Sequence, residues 1–162
     1  MMEQLLFDHM EKVRKITLQS ISRIPEEAAD HIPEGFRNNI RWNFGHIAFI
    51  QEKLAYGVLG EETKIPDRFA GFFAPGTSPS DWEGKPPSLE EIEQVLTEQL
   101  ERIKGTHHGR VEDELPEPFT NSAGITFSTA GETLMFNSFH EGMHLEAVKQ
   151  IYRQWKLQSQ RK

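Results

Sequence analysis

Phe139-His140-Glu141-Gly142-Met143-His144-Leu145-Glu146-Ala147-Val148 is the stretch on which the reading of this chain turns. At helical spacing His140, His144 and Val148 fall on one line, with Leu134 before them and Ile151 and Trp155 after. Met135, Phe139 and Met143 form a second line beside the first. Residues three and four apart share a helix face. The segment from Ser128 or Thr129 to about Leu157 therefore reads as one long helix that is apolar on two sides. Such a helix is either central to a bundle or offers one face to a second copy of the chain.

Working outward, three more segments carry helical periodicity. The first runs from about Met2 to Ile24, with Leu5, Leu6, His9, Val13, Ile16, Ser20 and Ile24 near one face and Pro25 as its stop. The second runs from about Asn39 to Leu59, aligning Asn43, His46, Ile47, Ile50, Leu54 and Val58, and Gly60 ends it. The third opens on Ser88-Leu89-Glu90-Glu91, in which a serine and a glutamate three residues on can cap each other's backbone. It continues through Ile92, Val95, Leu96, Leu100 and Ile103 to Gly105. Four amphipathic helices without sustained strand alternation predict an all-α four-helix bundle, read as one domain over 1–162.

Two long connections separate these helices. Residues 60–87 hold five prolines together with Phe69, Phe72, Phe73 and Trp82. That aromatic content predicts a loop packed onto the body, with Phe72, Phe73 and Trp82 weighed as pocket lining against plain packing. In the second connection, 106–127, Gly124-Ile125-Thr126-Phe127 has the composition of a short strand.

The 162 residues include no cysteine and seven histidines. Thiolate metal sites and disulfides are therefore excluded, and a transition metal must sit on His, Asp or Glu. With 18 Lys+Arg against 25 Asp+Glu the net charge is −7, which disfavours nucleic acid as a partner. No apolar run approaches the ~20 residues of a membrane span, and the expected location is the cytoplasm.

His140-Glu141-Gly142-Met143-His144 matches the H-E-x-x-H zinc signature of metalloproteases. The longer protease pattern adds Gly and His downstream, where this chain has Ala147 and Gln150. Glu146 is the sole acid after His144, and it points to another side of the helix. His46 offers a third ligand instead, because it lies on the apolar stripe of the second helix. Neighbouring bundle helices lie ~8–10 Å apart, so His46, His140 and His144 can reach one ion and leave a position open for water or substrate. His9 is a weaker ligand candidate, and His31, His107 and His108 are expected to face solvent. Glu141, about 100° around the helix from His140, is a weak catalytic candidate. Asn43, three residues before His46, could orient substrate or a ligand histidine.

At these residues the chain resembles the DinB-like (DinB/YfiT) family. The resemblance rests on Ile40-Arg41-Trp42-Asn43-Phe44-Gly45-His46-Ile47 and on Thr129-Ala130-Gly131-Glu132-Thr133-Leu134 followed by the His140 and His144 pair. It spans nearly the whole chain. Where many members carry a basic residue and Gly after the last histidine, this chain has Leu145-Glu146-Ala147. The resemblance implies an up-down-down-up bundle, a homodimer, and a divalent metal, zinc or nickel, on His46, His140 and His144. It further implies a thiol S-transferase that joins a small thiol of the bacillithiol type to an electrophile. A metal-dependent hydrolase and a non-catalytic metal-binding stress-response module are the alternatives.

Overall fold

The computed structural model describes residues 1–161. Its helices are α1 (Met2–Ile21), α2 (Ile40–Ala55), α3 (Phe69–Phe73), α4 (Leu89–His107) and α5 (Ala130–Ser159), with a hairpin of β1 (Glu114–Thr120) and β2 (Thr126–Thr129). The four long helices stand where periodicity puts them. The Ser88 side chain accepts from Glu91 N while Glu91 accepts from Ser88 N, and Thr129 and Glu132 do the same for α5. Each reciprocal cap satisfies donors that a helix start leaves unpaired.

Cross-helix bonds give the directions. Arg41 of α2 donates to Pro87 O just before α4, Gln99 Nε2 donates to Ala48 O, and His107 meets Ala55 O, so α2 and α4 run parallel. Asn43 meets His144 while Thr133 Oγ1 reaches Leu54 O, so α2 and α5 are antiparallel. In α1, Leu6, Phe7 and Met10 pack with Leu134, and Ile21 packs with Val148 and Ile151, which makes α1 parallel to α5. The bundle is therefore up-down-down-up. Because α2 and α4 point the same way, the chain must return along the bundle between them. This accounts for the length of the connection 56–88, called the strap below, since sixteen helical residues rise ~24 Å.

The apolar interior divides into two clusters. One holds Phe44, Ile47, Phe73, Ile92, Leu96 and Val148, and the other Leu6, Met10, Tyr56, Ile103 and Leu134. Along each helix a polar layer falls between them. Arg14 (1% exposed) donates through Nε to Glu141 Oε1 at 2.9 Å, and its remaining donors meet Gln51 of α2 and the Leu96 carbonyl of α4. Thr17 also donates to Glu141. This layer overturns the expected face of α1. Leu6, Phe7, Met10, Arg14, Thr17 and Ile21 are buried, whereas Leu5, His9 and Ile16 are exposed. A partnered buried arginine rotates the helix away from the face that counting apolar residues selects.

The strap carries structure. It includes α3 and two 3₁₀ turns, and its rings interlock: Phe72 and Phe73 each meet Trp82 edge-on, at 5.6 and 6.0 Å between centroids. The second connection is the hairpin. β2 overlaps the expected strand but begins at Thr126, pairing Phe127 with Phe119 and Thr126 with Thr120. Asn121 Oδ1 accepts from Ala123 N and Ile125 N and closes the turn. Among the described residues no helix is long and apolar enough to cross a membrane.

Candidate metal centre

His46 projects from the middle of α2, and His140 and His144 from successive turns of α5. Each can offer a ring nitrogen, and these atoms all lie within 4.8 Å of one another. The rings crowd accordingly, with centroids 5.2 Å apart for His46–His140, 4.8 Å for His46–His144 and 4.5 Å for His140–His144. The candidate ligands named from sequence are thus brought together from two helices.

Two tautomers follow from the partners. His46 Nδ1 lies 2.6 Å from Phe73 O, and a carbonyl only accepts, so Nδ1 carries the proton. Asn43 Nδ2 donates to Asn39 O at 2.7 Å, which orients the amide and leaves its Oδ1 to accept from His144 Nδ1 at 2.8 Å. Both rings therefore keep Nε2 as a free lone pair. Metal-bound histidines use their second nitrogen in the same way, donating it to a carbonyl oxygen that fixes the ring.

The electrostatics favour neutral rings. Burial is the main cause in all three. It lowers the His46 pKa against the raising effect of the Phe73 hydrogen bond. His140 is pushed down to about 3 by burial and by the neighbouring His144 and His46, and His144 to about 4 by burial and His46. Neutral imidazole is the ligating form, so this donor set suits a divalent ion without displacing protons at neutral pH.

The surroundings show why the chain folds this way locally. Trp42 stacks on His46, with centroids 4.3 Å apart and planes 14° apart, and its Nε1 donates to Thr77 Oγ1 of the strap. A Cβ added at Gly45 would come within 2.5 Å of the Phe73 ring. The glycine lets the strap lie close enough for Phe73 O to reach His46. Phe72, Phe73 and Trp82 thus pack and position, and they do not line the clefts at the histidines.

Two clefts open onto the centre. One of ≈570 Å³ reaches His46 and His140 and is bounded by α2, α5 and the hairpin, including Ile50, Lys53, Phe119, Ile125, Phe136 and Phe139. The other, ≈330 Å³, reaches His144 beside Arg37, Asn38, Trp42 and Asn43. Met143 lines both. A further cleft of ≈550 Å³ between the strap and α4 touches none of the three histidines.

The family model of the DinB superfamily matches residues 9–148. The chain belongs to the DinB superfamily. A search of curated proteins finds no match. Within this DinB-superfamily chain the remaining sequence candidates separate cleanly. Asn43 holds His144. Glu141 is 3% exposed and its carboxylate is committed to Arg14 and Thr17 of α1. His9 is exposed on α1, away from the inward face expected for it. His108 faces solvent, at 83% side-chain exposure, beside Glu3. His107, expected in solvent, is instead buried (1% exposed) because α4 extends beyond Gly105 and places the ring against Ala55 O at 2.7 Å. His31 is half-buried rather than free in solvent, with Nε2 shielded. Sequence reasoning missed the Phe73 carbonyl and the hairpin cover. A glycine inside a helix, directly before a candidate ligand, is the signal that could have revealed the first.

Proposed function

We propose that this DinB-superfamily protein is a divalent-metal-dependent thiol S-transferase, with zinc or nickel on His46, His140 and His144. The observation that carries the reading is three converging neutral imidazoles with clefts open on two sides, a donor set that leaves coordination positions for substrate. A bound divalent ion would hold a small thiol of the bacillithiol type as its thiolate, the nucleophilic form. The chain's own part is positional. Phe73 O and Asn43 Oδ1 fix two rings, and the larger cleft shelters an electrophile beside them. The sulfur–carbon bond forms as the electrophile's leaving group departs with its bonding pair.

The geometry favours transfer over hydrolysis. A metal-dependent hydrolase calls for a proton acceptor near the ion. No Asp or Glu lines either cleft among the described residues, and Glu141 is engaged on α1. Elemental analysis of the purified protein should find one divalent ion per chain, and His140→Ala should abolish it. Unchanged stoichiometry in that variant overturns the centre. With the ion in place, the protein should conjugate bacillithiol to monochlorobimane. Absence of conjugation above background would remove the transferase reading for this pair and favour a non-catalytic role.

A further inference from the structure

The larger cleft contains one fully charged side chain. Lys53 stands seven residues after His46 on α2, with Ile50 between them, and all three line the cleft. Seven residues bring a helix back to nearly the same face, ~10 Å further along its axis. The Lys53 ammonium lies over the Phe119 ring, 5.4 Å from its centroid, which holds it toward the hairpin side of the cleft. None of the ion pairs among the described residues includes Lys53, although the chain carries a net charge of −7. The rest of the lining is mostly apolar, with Thr120, Asn121 and Ser122 of the hairpin turn as its neutral polar part. Phe139, Ile125 and Met143 remain 61%, 52% and 46% exposed, surface that an occupant of the cleft would cover.

We propose that this cleft takes an apolar carboxylic acid, its hydrocarbon body against Phe139 and Ile125, its far end at the histidines and its carboxylate on Lys53. In the proposed transferase this is the electrophile's subsite, and to that extent the assignment rests on the preceding reading. Binding in the cleft itself needs no metal. An unpaired cation beside an apolar wall recognises both parts of such a molecule, whereas a neutral analogue satisfies only the wall.

The test is calorimetric titration of the full chain with 6-phenylhexanoate and with its primary amide, both metal-loaded and after chelation. The acid should bind about tenfold more tightly than the amide in both states, as one charge-assisted hydrogen bond would give. Lys53→Gln should erase that preference while leaving amide affinity unchanged, and Lys53→Arg should keep it. Ile125→Ser should weaken acid and amide alike. Equal binding of acid and amide by the wild-type chain, or a preference that survives in Lys53→Gln, overturns the proposal. A preference seen only in metal-loaded protein also overturns it, placing the carboxylate at the ion while leaving the metal reading intact. A preference that persists in a chain found to bind no metal fails the metal reading and leaves the Lys53 subsite standing.

Discussion

Asn43 shows how much can depend on one amide. It is 4% exposed, bonded on one side to its own helix through Asn39 O and on the other to His144 across the bundle. Its orientation decides which nitrogen of His144 carries the proton. Removing such a partner from a ligating histidine typically lowers metal affinity ~10–100-fold. Asn43→Ala should therefore weaken zinc binding by about that factor in a chelator competition. An affinity within twofold of the wild type would show that His144 needs no orienting partner.

At the scale of elements, Arg14 and Glu141 join α1 to α5 and, through Leu96 O and Gln51, to α4 and α2. Breaking a buried pair by deleting one partner strands a charge and costs ~3–5 kcal/mol. Arg14→Ala should lose about that much stability in urea denaturation, whereas Arg14→Met combined with Glu141→Leu should recover most of it. If Glu141 is purely structural, Glu141→Gln should retain the conjugation rate per metal-loaded folded chain to within about threefold. A drop of ~10²–10⁴ would instead mark it as a proton acceptor. The same pair explains where the sequence stopped being legible. Regular spacing located four helices, and the i, i+4 histidines with one inward histidine on another helix located the candidate ligands. The inward face of α1 depended on Arg14 meeting a carboxylate 127 residues away, which no local pattern records. β1 was hidden for a different reason. Pro116 and Pro118 lack the N–H that a paired strand donates, and the register is broken between Glu114 and Phe119.

For the whole molecule, the buried histidines make acid the destabilising direction. His140 at about 3, His144 at about 4 and the lowered His46 and His107 all lie below the unfolded value of about 6.5. As pH falls below ~6.5 the unfolded chain binds protons that the native chain refuses, so stability declines toward pH 3–4. Above ~7.5, about one unit past the unfolded value, these groups contribute almost no slope. Chelator-treated protein should show a denaturation midpoint that is nearly flat from pH 8.5 to 7.5, begins to fall as pH drops through ~7 and falls steeply by pH 5. The fall should be shallower in a His140→Ala/His144→Ala double variant. A wild-type midpoint unchanged from pH 6.5 to 5 would contradict the burial of these rings.

The strap that returns the chain from the end of α2 to the start of α4 supplies His46 with a main-chain acceptor, Phe73 O. Every residue type at position 73 would present that oxygen, so an alanine scan reading only metal loss is blind to the acceptor itself. Its signal should surface instead at positions that set the strap's path, such as Gly45, Thr77 and Trp82, none of which belongs to the three-histidine cluster. The information that orients this candidate ligand is stored as a route through space, distributed over residues that a search for metal-binding side chains would pass by.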